Sequence, residues 1–215
     1  MCTRFFIDQN LEELSEYLQA VKESPLLRRF EERDPAPFVT SGEVFPTNIA
    51  VVLAPGKDGR RSAFPMKWGY RLNKKTTLFN ARLETAGEKP TFREDYLRHR
   101  CIIPASWYYE WQHRMGPDGT SSETASSRKS APAAKYKIQP GGQSVTWLAG
   151  LYRIENGLPY FVVLTREPSG NLRKIHDRMP LILPEKVLDD WIWPDSDPGK
   201  LIKYAVTDLY AKPCG

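Results

Sequence analysis

Cysteine is scarce in this chain: Cys2, Cys101 and Cys214 are all it has in 215 residues. They are odd in number, scattered and without a Cys-x-x-Cys spacing, which argues against a disulfide framework and against a zinc site built on paired thiols. No metal and no cofactor is expected. There is no run of about 18 apolar residues able to span a bilayer, and no charged-then-apolar leader at the N-terminus. A cytoplasmic protein with no membrane partner is therefore expected. Internal repeats are absent too.

Hydrophobic residues make up 40 % and aromatic residues 12 % of the 215 positions. That composition reads as one globular domain over 1–215 with a substantial core. The 31 Lys and Arg against 26 Asp and Glu leave a net charge of +5. Such an excess fits a polyanionic partner but is too mild to establish one.

Asn10 reads as an N-cap, with Leu11, Leu14, Leu18 and Val21 at helical spacing and the helix ending before Pro25. Strand-like runs follow at 48–54, 63–70, 101–105, 107–112, 135–138, 145–154 and 160–164, rich in β-branched and aromatic residues and broken by Pro and Gly. Segments 91–100 and 184–193 read as helices, the second with Pro184 in its first turn. The fold class implied is α+β, with a curved, barrel-like antiparallel sheet and peripheral helices. Residues 114–135, rich in Ser, Ala, Gly and Pro, have almost no apolar anchor and are expected to form a disordered loop insertion.

Several positions carry chemistry that a plain β-core does not need. Removal of Met1 would leave Cys2 with a thiol and a free α-amine on adjacent carbons. Such an amine condenses with an aldehyde to an imine, and the thiol then closes a five-membered ring on the same carbon. An internal cysteine cannot do this. Asn80 and Arg82, two apart on an extended chain, face the same side; alternatively Asn80 caps a turn and Arg82 pairs with Glu84. Glu110 sits among Trp107, Tyr108, Tyr109 and Trp111, a setting that raises a carboxyl pKa and suits a general acid, unless it is half of a structural ion pair. His176, beside Asp177 and Arg178, is a proton carrier or a satisfied core histidine. Trp68 and Tyr70 beside Lys67, followed by Lys74 and Lys75, offer stacking plus charge to single-stranded nucleic acid, or else are core aromatics. His99 and His113 lie in basic segments and Cys101 precedes an apolar run; none is assigned a role.

Taken together, the pieces resemble one family, the SRAP domain (SOS response-associated peptidase). The resemblance runs through Met1-Cys2-x-Arg4, Trp68-Gly69, Asn80-Ala81-Arg82-x-Glu84-Thr85, the long segment 89–111 and Ile175-His176-Asp177-Arg178-Met179-Pro180. It implies a nucleoid-associated, monomeric sensor of abasic sites in single-stranded DNA. By position, Cys2 would form a thiazolidine with the ring-opened deoxyribose, and Asn80 would position the N-terminal residue. Arg4 and Arg82 would hold flanking phosphates, and Glu110 and His176 would shuttle protons. The peptidase label implies release of residues preceding the cysteine.

The chain departs from the family pattern at Thr3, where Gly is usual, and after Tyr70, where RLNKKTT replaces a Pro and a further Trp. Lys74 and Lys75 would there substitute charge for stacking. Two rivals remain: a self-processing N-terminal-nucleophile cysteine peptidase acting on protein, and a non-catalytic nucleic-acid-binding β-domain. Arg4, Arg82 and the RLNKK stretch favour a phosphate backbone over a peptide.

Overall fold

The computed structural model describes residues 2–73, 75–112 and 133–214. The chain begins with β1 (Phe5–Ile7), helices α1 (Glu12–Lys22) and α2 (Pro25–Arg33), and strands β2 (Gly42–Val44), β3 (Ile49–Pro55) and β4 (Arg61–Trp68). A hairpin of β5 (Tyr70–Arg71) and β6 (Thr77–Leu78) leads to β7 (Asn80–Arg82), α3 (Leu83–Ala86) and α4 (Arg93–Arg98). Strands β8 (Arg100–Ala105), β9 (Trp107–Trp111), β10 (Lys135–Pro140), β11 (Thr146–Glu155) and β12 (Leu158–Arg166) follow. β13 (Met179–Pro180), α5 (Leu188–Ile192), α6 (Pro198–Leu201) and β14 (Leu209–Pro213) complete it.

Five strands close into a barrel in the order β11–β8–β3–β4–β12, with β12 returning to β11. Closure leaves no open edge in the ring. β3, and β8 after Arg100, read as unbroken apolar runs and are buried almost throughout, because one face lines the barrel and the other is covered. The β11–β12 hairpin turns through Asn156 and Gly157, both at positive φ (52° and 77°), as a tight two-residue connection requires. The sheet is not wholly antiparallel: β12 runs parallel to β4 and to β7. These pairings join residues far apart in sequence and leave no local signal.

A second, five-stranded sheet has the order β14–β10–β9–β1–β2. Ser106 is the corner at which the chain passes from the barrel strand β8 into β9, and its amide donates to the Phe6 carbonyl at 2.8 Å. Trp68 joins the two sheets. It is fully buried, its ring stacked on Phe161 (5.8 Å, 14°) and tilted against Phe5 (5.2 Å, 44°), while its indole N–H donates to the Phe79 carbonyl at 2.8 Å. Truncating such a side chain costs about 3–5 kcal/mol. Gly69 at φ 125° then turns the chain out of β4, where a Cβ would lie 2.7 Å from Thr77 Cγ2.

Several local expectations are corrected. Helix α1 is capped at Leu11, not Asn10, whose amide and Nδ2 both donate to Asp8 Oδ1 at 3.0 Å. Pro25 starts a further helix, α2, at its first turn. Arg100 already belongs to β8, and residues 185–187 form a 3-10 turn before α5. The expected insertion at 114–135 falls largely outside the described residues, although Lys135 opens β10. No described helix is long and apolar enough to cross a membrane.

Candidate active site

β1 and β9 run antiparallel, with Phe5 opposite Tyr108 and Phe6 opposite Trp107. The Tyr109 amide donates to the Arg4 carbonyl at 2.9 Å, so the residues before β1 lie along the end of β9. Side chains alternate across a strand. Tyr108 and Glu110 turn inward, 1 % and 4 % exposed. Trp107 and Trp111 turn outward, the first stacked on Phe6 (4.3 Å, 7°) and the second 4.7 Å from the Arg4 guanidinium.

Cys2 is buried on the inner side of this ladder, its thiol in a long contact of 4.0 Å with the Arg4 carbonyl. Burial pushes the thiol up to about 12, and the Glu110 charge adds to that rise. The Glu110 carboxyl is itself pushed up to about 7 by burial, the Trp111 amide opposing and Asp177 adding to the shift. Tyr108 is raised well above its ordinary value by burial and then by the Cys2 and Glu110 charges, which marks the three as neighbours.

His176 follows a 3-10 turn at Gly170–Lys174, its amide donating to the Leu172 carbonyl at 3.0 Å. Its Nε2 lies 3.6 Å from Glu110 Oε1, an ion-pair distance rather than a hydrogen bond. Two contacts ask opposite things of Nδ1: the Arg178 amide at 3.0 Å needs its lone pair, whereas Asp177 Oδ1 at 2.7 Å favours a proton there. A ring so placed has a partner in either protonation state. His176 is 8 % exposed, and its ring bridges Glu110 to the 68 %-exposed carboxylate of Asp177.

β7 lies beside the C-terminal half of β12, with Val163 opposite Asn80 and Thr165 opposite Arg82. β13 lies on the other side of the same stretch, with Thr165 opposite Pro180. The Asn80–Arg82 and His176–Pro180 segments therefore meet at one end of the barrel. Arg178 locks them together: it donates to both Glu84 oxygens, at 3.0 and 2.7 Å, and to the Thr165 carbonyl at 2.6 Å. Burial alone would raise the Glu84 carboxyl, but the Arg178 guanidinium outweighs it and holds the group below its ordinary value. The suggested Arg82–Glu84 pair is thus corrected: Glu84 belongs to Arg178, and Arg82 is exposed with no ion pair among the described residues. Asn80 Oδ1 is a buried acceptor with no hydrogen-bond partner among them. Leaving such an atom unpaired costs about 1–3 kcal/mol, which a ligand donor would recover.

The structure thus places Cys2 with Glu110 and His176, and brings Asn80 and Arg82 to the barrel end that carries His176. Arg4 faces outward, paired to Glu43 at 3.2 Å and lying over Phe45 at 4.4 Å. Trp68 and Tyr70 are 0 % exposed and present no stacking surface, so the expectation of a strand-binding Trp68 is corrected to a packing role. Lys67 is tied to Asp34 at 2.9 Å. Lys75 is exposed on the β5–β6 turn, where its amide donates to Asn73 Oδ1 at 2.8 Å; Lys74 lies outside the described residues. Sequence reasoning misses Arg178. Its motif is in plain view, but its partner Glu84 is 94 positions away.

Among the described residues no group of three or more His, Cys, Asp or Glu could hold a metal ion. An apolar cleft of about 430 Å³ lined by Leu26, Phe64, Met66, His99 and Tyr152, among others, contains none of the site residues.

A family model described as SOS response associated peptidase (SRAP) matches residues 1–212. The chain is 31 % identical over 183 residues to the abasic site processing protein YoqW of Bacillus subtilis, covering 76 % of this chain and 75 % of that one. It is 28 % identical over 197 residues to the abasic site processing protein YedK of Escherichia coli, covering 89 % and 79 %. In fold it is similar to a crystal structure of a protein from Bacteroides thetaiotaomicron, with a TM-score of 0.70 at 17 % identity over 100 % of this chain and 92 % of the other. A phage-related protein from Bordetella bronchiseptica gives a TM-score of 0.66 at 19 % identity, covering 99 % and 94 %. The chain belongs to the SOS response associated peptidase (SRAP) family.

Proposed function

We propose that this protein captures abasic sites in single-stranded DNA by forming a thiazolidine through Cys2 once Met1 has been removed. The observation that carries this reading is the burial of Cys2 beside a carboxyl whose pKa is raised to about 7. A group half-protonated near neutrality both gives and takes a proton, and the capture needs both.

The ring-opened abasic deoxyribose presents an aldehyde at C1′. The Cys2 α-amine adds to it, and the carbinolamine loses water to give an imine. Glu110 in its acid form supplies the proton that makes ring opening and water loss possible. The thiol sulfur then bonds to the imine carbon, and its proton passes to the nitrogen, directly or through Glu110 and His176. The sum is aldehyde plus aminothiol giving thiazolidine and one water. Ring closure turns C1′ from an imine into a saturated carbon, which removes the activation for β-elimination and keeps the strand intact. Asn80 Oδ1, the unsatisfied acceptor, suits the α-amine.

Arg82 and Arg4 hold phosphates on either side of the lesion. Arg4 must exchange Glu43 for a phosphate to do so. The same site releases any residues that precede Cys2, as a self-processing peptidase, and the protein works as a cytoplasmic monomer. A general cysteine peptidase acting on other proteins is the weaker reading, because the exposed Arg82 guanidinium, without an ion pair among the described residues, suits a phosphate backbone rather than a peptide.

The test is incubation of the protein lacking Met1 with an abasic oligonucleotide, followed by denaturing electrophoresis. A heat-stable complex in the wild type, missing from Cys2→Ala, is expected. Equal heat-stable yield from Cys2→Ala overturns the reading.

A further inference from the structure

The outward side of the five-stranded sheet carries a group of rings and cations that the chemistry above does not use. On β9, Trp107 and Tyr109 face outward, and on β10 the residue opposite Tyr109 is Lys137. Each lysine leans across to a neighbouring ring: Lys137 Nζ lies 3.4 Å from the Trp107 ring centre, and Lys135 Nζ lies 3.7 Å from that of Tyr109. β14 extends the face, placing Lys212 opposite Lys137 and the 66 %-exposed Tyr210 opposite Gln139. The opposite side of the same strands is core, with Tyr108 and Ile138 each 1 % exposed. Across the sheet Glu43, opposite Phe6 on β2, brings a carboxylate to this face, and Arg4 and Lys135 already neutralise it. The Trp107 indole nitrogen is buried with no hydrogen-bond partner among the described residues.

We infer that this face is a track for single-stranded DNA leading away from the captured lesion, with bases stacking on Trp107 and Tyr210 and phosphates held by Lys137 and Lys212. The choice of occupant follows from the pattern: rings alternate with Lys137 and Lys212, cations that have no ion pair among the described residues, as a strand alternates bases with phosphates. A lysine over a half-buried ring is weakly held, and stacking of a base on the same ring is the stronger contact, so the strand displaces the lysine from ring to phosphate. The track meets the capture site where Arg4 and Trp111 share the same outward side. The inference rests on the proposed function only in taking the strand to be DNA that carries the lesion.

The experiment uses the full chain carrying Cys2→Ala, so that no adduct forms, and follows binding of fluorescent oligo-dT of about 4 and 15 nucleotides by anisotropy across salt. The longer strand should bind at least tenfold more tightly. Trp107→Leu and the double variant Lys137→Gln/Lys212→Gln should each remove most of that gain, and the double variant should lower the salt slope by roughly 1.4, about 0.7 for each phosphate no longer neutralised. Binding of the short strand should not change. In parallel, the same substitutions in the Cys2 protein should leave crosslinking to an abasic tetranucleotide at its usual rate. If the length gain survives both variants, the track is wrong even where crosslinking proceeds. If no protein crosslinks but the gain disappears as stated, the capture chemistry fails and the track stands. Competition by poly-glutamate equal to that by oligo-dT of matched charge would overturn the assignment to a stacked strand. Unchanged melting temperatures in the variants exclude misfolding.

Discussion

The two sides of β9 present opposite environments. Inward, Tyr108 and Glu110 are buried in the seam between sheet and barrel, where a carboxyl is raised to about 7 and a thiol to about 12. Outward, Trp107 and Trp111 lie half-buried beneath Lys137 and Arg4. A strand's period of two therefore sorts one short segment into a buried side, to which the proposed chemistry assigns proton transfer, and an outward side proposed to meet a polyanion. The lesson is that burial, not residue type, divides the labour. The same division separates Trp68, locked in the core, from Trp107, which is not.

The sharpest break in that comparison comes from the inward side. Glu110→Gln and His176→Ala should each slow single-turnover crosslinking by about 10²–10⁴, the usual worth of one positioned acid or base, with strand affinity almost unchanged. Loss of affinity with an unchanged rate would exchange the roles assigned to the two faces. Next in size is the contrast between the tryptophans. Trp68→Ala should destabilise the fold by about 3–5 kcal/mol in denaturant titration, whereas Trp107→Leu should cost a small fraction of that.

Burial of Glu110 also makes stability depend on pH. Its folded pKa of about 7 lies above the ordinary 4.5, so between these values the folded state keeps a proton that the unfolded chain has released. Its contribution is full below 4.5 and declines as pH rises through 7. Glu110→Gln should remove this fall, so that its melting temperature gains on the wild type as pH increases over that window. A constant difference between the two proteins would place Glu110 in a solvated environment. The smallest effect belongs to an exposed group: Arg82→Ala should weaken binding to intact and abasic single strands alike and lower the salt slope by roughly 0.7.

Much of the barrel is legible in the sequence because its strands carry apolar runs without interruption, as at 49–55 and 101–105. β1, β2 and β13, of two or three residues, carry too little pattern to be read, and the parallel pairing of β12 with β4 depends on tertiary contacts alone. At the site, Glu110 stands out for its aromatic neighbours in sequence, yet Trp107 and Trp111 point away from it. The seam between the two sheets raises its pKa, and only Tyr108 of that run shares its side. Trp68 is easily misjudged because an aromatic beside lysine looks the same in sequence whether the ring is exposed or, as here, packed on Phe161. Composition reports which groups are present; the register decides which of them meet.

Intact mass of the protein lacking Met1, before and after incubation with an abasic single-stranded oligonucleotide, tests the central claim most directly. A new species at the summed mass of protein and oligonucleotide less one water, stable to heat, is expected in the wild type and not in Cys2→Ala. A wild-type protein that stays at its own mass, or a Cys2→Ala protein that gains the same heat-stable mass, would contradict capture through the N-terminal cysteine.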